Sequence, residues 1–196
     1  DEIIKLRNHI ETMQTLVSIR HSIDTNNEFY DKENEYMDEI SPILFGFTND
    51  FYKALVNSKF KDELIKKYGK LLFDLAENTL KVFSNEIIPD AQEENRLSSK
   101  YSKLIASAKI DFDGKELNLS QMVPYTQSKD RNVRIEAAKK VAQFFAENQE
   151  EFDNIYDSLV KVRTKMAQKM GYKNYVEFGY KQLSRLEYDA KMVEGY

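Results

Sequence analysis

The sequence has no cysteine, and its 196 residues include only 3 prolines, 6 glycines and 2 histidines. Lack of cysteine excludes disulfides, thiolate metal sites and cysteine nucleophiles together, and is compatible with a reducing compartment. So little proline and glycine leaves scant material for a turn-rich all-β fold and favours long helices. No run of 18 apolar residues occurs, so nothing reads as a membrane-spanning helix and no membrane partner is expected. A formal charge of −4 and a pI near 5.4 come with Asp and Glu interspersed among the basic residues. No basic stripe survives, and no nucleic-acid partner is expected. No secretory signal is visible. The chain opens on Asp1 instead of Met, so a cytoplasmic location is a default expectation.

What is present is 41% hydrophobic and 32% charged, the balance of a soluble globular protein long enough for one sizeable core. Ile3, Leu6, Ile10, Met13, Leu16 and Val17 recur at helical spacing, which predicts a first helix with one apolar stripe. Asp24, Thr25 and Asn26 are candidate caps for a second helix, whose stripe runs from Phe29 to Leu55. Pro42 within it predicts a kink or break. Gly69 reads as a stop or join, Leu71–Phe83 as helix, and Ser84 as a cap with Pro89 near the next start. Then "ASAKIDFDGKELNLS" alternates apolar and polar residues around Asp113-Gly114, a type I′ hairpin signature. From Ser128 the chain reads as helix until Gly171, a C-cap position. Asn174, with Glu177 three residues later, resembles a capping box, and Asp189 is a further N-cap. The fold class expected is mainly α, a multi-helix lobe with one β-hairpin near residues 106–119. One lobe is expected over 1–196: helices to 105, the hairpin, then a long helix and junction from 120.

Candidate chemistry is sparse. His9 and His21 begin no H-E-x-x-H motif, and twelve residues on one helix set them about 18 Å apart, too far to share a zinc. Each reads as a surface or helix-boundary residue. In "DFDGKE" the glycine comes fourth, not sixth as in a calcium loop, so a hairpin turn is the better reading. The acidic runs "QEEN" (92–95) and "ENQEEFDN" (147–154) read as solvated helix faces rather than a glycosidase pair. There is no nucleophile elbow and no phosphate-cradling glycine loop. Tyr172, Tyr175, Tyr180 and Tyr188 either line a peptide-binding wall or cover a helix junction.

Five stretches nevertheless occur in a telling order: "NEFYDKENEYMDEISPIL", "DFYKALVNSKFKDEL", "KLIASAKIDFDGKELNLSQM", the run from Asp130 to Tyr180, and "SRLEYDAKMV". Together they resemble the N-terminal part of oligoendopeptidase F-type zinc metallopeptidases, relatives of thimet oligopeptidase. The resemblance implies a long helical enzyme with two lobes around a deep channel, cutting short peptides in the cytoplasm. It also implies a zinc held by H-E-x-x-H and a distal glutamate, where the metal polarises the scissile carbonyl and the motif glutamate takes a proton from water. None of those residues has a counterpart here. The catalytic and metal residues expected in this segment are therefore none, and the segment alone is expected to bind no zinc and to be inactive. Its expected partner is the missing C-terminal catalytic lobe, and its expected part in the enzyme is one wall of the channel. Arg185 and Tyr188 are the candidates for facing that channel. Two other readings stay open: a self-contained, non-enzymatic helical interaction module that binds a helix or peptide, and an independent hydrolase using carboxylates.

Overall fold

A computed structural model describes residues 2–196. Its helices are, in order, α1 (Glu2–Ile23), α2 (Glu28–Val56), α3 (Lys61–Tyr68), α4 (Lys70–Leu80) and α5 (Ile88–Ala106), the last preceded by a 3-10 turn at Asn85–Ile87. Strands β1 (Ile110–Phe112) and β2 (Lys115–Leu117) follow. The chain continues as α6 (Leu119–Thr126), α7 (Arg131–Glu147), α8 (Gln149–Lys169), α9 (Tyr175–Gln182) and α10 (Ala190–Glu194). The mainly α class with a single hairpin among the described residues holds. The chain divides into two compact units, one made of the residues up to Asn34 with Arg96–Leu159, the other of Glu35–Asn95 with Val160–Tyr196.

In the first unit the hairpin is shorter than the sequence pattern. Ile110 pairs with Leu117 and Phe112 with Lys115, while Ala106 closes α5 and Leu119 opens α6. The turn is as expected: Asp113 and Gly114 both have positive φ, 53° and 70°, the geometry a two-residue type I′ loop requires. The alternation places Ile110 and Leu117 inward, where they bury with Met122 and Ala137. Strand pairing ends at Asn118 because that residue starts a helix. Its side chain accepts from the Gln121 N–H, and the Gln121 side chain accepts from the Asn118 N–H, a reciprocal capping box.

Two expectations fail: the single helix from Ser128 and the cap of α2. The helix predicted from Ser128 to Gly171 is two helices, broken at Asn148, whose side chain turns back to donate to the Phe144 carbonyl at 2.8 Å. Phe144, Phe145 and Phe152 meet around that joint with ring centroids 5.3–6.2 Å apart. The α1 helix forms as expected; Val17 and His21 are its buried residues, while Ile3, Leu6, Leu16 and Ile19 are exposed. The cap of α2 is Asn27, one residue beyond the three expected, and it accepts from the N–H groups of Phe29 and Tyr30.

In the second unit α2 runs unbroken through Pro42. Proline has no N–H to give the carbonyl four residues back, which is that of Asp38. The Asn95 side chain supplies a donor there instead, at 3.0 Å, and Gln92 donates to the neighbouring Glu39 carbonyl at 2.7 Å. The "QEEN" run is thus not a solvated face: Gln92 and Asn95 secure α2, and Glu94 pairs with Arg163 at 2.6 Å. The core of this unit gathers Val82, Phe83, Ile87, Met166, Ala167 and Phe178. Asn78, buried on α4, donates to the Lys181 carbonyl at 2.7 Å and ties α4 to α9.

Candidate functional site

The segment from Lys173 to Met192 lines a groove of about 820 Å³ in the second unit. It is built from two helix ends and two helix starts. At the end of α8 the chain turns through Gly171 at φ +83°. The Gly171 N–H donates to the Gln168 carbonyl and the Tyr172 N–H to the Ala167 carbonyl, the paired bonds of a Schellman motif. Asn174 then caps α9 by accepting from the Val176 N–H at 3.0 Å. At the end of α9 the same motif returns: the Ser184 N–H donates to Lys181 and the Arg185 N–H to Tyr180. Here the left-handed position is a serine, with φ +53°. Asp189 caps α10 by accepting from the Met192 N–H at 2.9 Å.

The four tyrosines part company at these ends. Tyr172 and Tyr175 pack on the core around Phe178, and burial pushes both phenols above their usual range. The Tyr172 hydroxyl donates to the Lys81 carbonyl, and the Arg163 guanidinium lies 5.7 Å from the Tyr175 ring centre. These two cover the junction. Tyr180 and Tyr188 face the groove, their rings edge to face at 6.2 Å. Arg185 joins them, its guanidinium 4.6 Å from the Tyr180 ring centre and 5.7 Å from that of Tyr188. The two residues singled out in the sequence, Arg185 and Tyr188, therefore stand together in one groove. Ser184, which turns the chain so that this happens, carries no sequence signal of a left-handed residue.

Near the first helix end, Asp90 is 4% exposed and meets the ammonium groups of Lys165, at 2.6 Å, and Lys169. Burial alone would raise its carboxyl pKa, but the hydrogen bonds and charges of the two lysines outweigh that and hold it below the usual value.

The histidines do not converge. His9 is exposed on α1, whereas His21 is buried in the last turn of the same helix, with Nε2 3.3 Å from a carboxylate oxygen of Asp31. His21 is thus at the helix boundary, one of the two places read for it, and buried there. Among the described residues no three His, Asp or Glu side chains gather as metal ligands would, so these residues do not fit a zinc site.

Residues 1–83 match the model of the Peptidase M3 N-terminal domain. No curated protein matches the sequence. Among solved structures, a Bacillus anthracis protein described as an oligoendopeptidase F is 50% identical with a TM-score of 0.95, over 99% of this chain. A second protein described as an oligoendopeptidase F is 49% identical with a TM-score of 0.96. PZ peptidase A, solved with an inhibitor, is 51% identical with a TM-score of 0.94, over 97% of this chain. The chain spans 34–36% of the length of these proteins. The resemblance in the sequence and the match in structure coincide on the N-terminal part of oligoendopeptidase F-type peptidases.

Proposed function

We propose that this chain is the N-terminal part of a cytoplasmic zinc metalloendopeptidase that hydrolyses short peptides, and that it forms one wall of the substrate channel. In this reading the groove between α9 and α10 faces the channel, with Arg185 and Tyr188 on the substrate side. One observation carries it: 49–51% identity persists over 97–99% of the chain with nearly superimposable backbones. Zinc and its ligands would belong to residues that this chain does not contain. What this chain supplies is a rigid aromatic and basic wall that holds a peptide beside the reacting centre. No described helix is long and apolar enough to cross a membrane.

The test compares the 196-residue chain with the product of its reading frame extended to about three times that length, as in the matched structures. Both are given a short internally quenched peptide. Cleavage by the extended product alone, abolished by a chelator and restored by zinc, is the expected result. An extended product that leaves the peptide intact would overturn the reading, and cleavage by the short chain would overturn the assignment of this segment as non-catalytic.

A further inference from the structure

We propose that Arg185 binds a carboxylate of the peptide, so that the groove between α9 and α10 recognises a charged group on the substrate. The proposal rests on the peptide-hydrolase reading above and adds to it a residue that determines specificity. Three features point to Arg185 itself.

The first is its lack of a protein partner. Among the described residues its guanidinium makes no ion pair and no side-chain hydrogen bond, although it is half-buried. Of the acids that line the groove, Glu177 pairs with Lys181 at 3.6 Å, Asp189 accepts from the Met192 N–H, and Glu187 is exposed and makes no ion pair with Arg185. The second is orientation. The guanidinium carbon lies 4.6 Å from the Tyr180 ring centre and 5.7 Å from that of Tyr188, contacts with ring faces that accept no conventional hydrogen bond. A guanidinium carries five N–H donors in a fork that suits a carboxylate. The third is backbone. A non-glycine residue at φ +53° is uncommon, and Ser184 holds that conformation where it sets Arg185 against Tyr180.

The groove has room for more than the carboxylate. About 820 Å³ lies within the span of small-ligand sites, and Val176, Leu186 and Met192 give it apolar walls for neighbouring side chains. The other unpaired cations of the groove, Lys173 and Lys191, are exposed, and half-buried Lys181 is paired with Glu177, so the half-buried charge without an ion pair matches a monoanion.

The test uses the extended, active protein and two peptides of one sequence, one with a free C-terminal carboxylate and one amidated, both lacking acidic side chains. A third peptide is amidated and carries an internal Glu. Arg185→Ala should raise KM for the free acid about tenfold or more, leaving kcat and the neutral amide little changed. Arg185→Lys, which keeps the charge without the fork, should fall between. A KM rise confined to the Glu-containing peptide would also support carboxylate binding and would identify a side chain as its source. Equal losses for all three peptides would show a purely structural role, and no loss for any would show none; either overturns the proposal. Should Arg185→Ala not fold, Arg185→Gln takes its place in the same comparison. Titration of the 196-residue chain with the acid and the amide separates this question from the enzyme reading. If the extended protein cleaves nothing, a preference for the acid that is lost in the variant still supports Arg185, and equal binding of acid and amide still overturns it.

Discussion

The ends of α8 and α9 share a backbone motif and differ in almost everything else. Both close with the same pair of reversed hydrogen bonds around a left-handed residue. At the first end that residue is Gly171, and the residue after it, Tyr172, folds onto Phe178, which is 0% exposed. At the second it is Ser184, and the residue after it, Arg185, folds onto Tyr180 beside an open groove. The first end is built for packing: Met166 and Ala167 are buried, and Lys165 and Lys169 are held by Asp90. The second sets a charge against two tyrosine rings at a groove, where it makes no ion pair among the described residues. One turn geometry can thus end in a packed core or at an open groove, and the residue placed just beyond it decides which.

If the first end is the structural one, its anchor should be the more sensitive to change. Asp90→Ala removes the acceptor of two ammonium groups and should destabilise the fold by about 1.5–3 kcal/mol, read by chemical denaturation. The pH dependence should change with it. The Asp90 carboxyl is held below its unfolded value, so its contribution is present above about pH 4 and is lost as pH falls through the folded pKa. The wild-type chain should therefore lose stability on acidification below that point more steeply than Asp90→Ala. Parallel acid profiles would show that the anchor contributes no such linkage and would remove one half of the contrast.

The first end was also the more legible in the sequence. Gly171 turns the chain at positive φ, as the Asp113-Gly114 turn does, and the Asn174 and Asp189 side chains accept from N–H groups two and three residues on. Each acts locally, although Glu177 pairs with Lys181 and Asn174 caps through Val176. What the sequence did not carry is nonlocal. Pro42 left a kink or a break open for α2; the helix does not break, and the Asp38 carbonyl is met by Asn95, 57 residues away in sequence. His21 stands at the helix boundary, one of the two places read for it, but its burial and the Asp31 carboxylate 3.3 Å away come from the packed structure and not from its own neighbours in sequence. The apolar side chains of α1 are mostly exposed, a fact that periodicity does not carry, because it reports which residues share a face and not what covers them. At the groove, Arg185 and Tyr188 stand out in the sequence as polar groups near a junction, and of the four tyrosines two cover the junction and two line the groove. Ser184 gave no warning, since nothing about serine signals positive φ.

The two left-handed residues themselves offer the direct comparison. Gly171→Ala adds a methyl group that would meet no other atom within 4 Å, so its cost is purely that of the backbone. It should destabilise by about 1–2 kcal/mol.

Ser184→Gly is the reverse exchange at the matching position and should have the smallest effect. It relieves the left-handed strain but adds freedom to the unfolded chain, and these oppose each other. The serine hydroxyl makes no hydrogen bond among the described residues, so nothing else is lost from the folded side. A net gain of about 0.5 kcal/mol is expected, a rise of roughly 1–2 °C in Tm. Such a gain would mean that Ser184 is held in a conformation its own chemistry disfavours, with stability given up at the one turn that presents Arg185. A loss would mean that the serine stabilises its turn, and the second helix end would then be as much a packing device as the first.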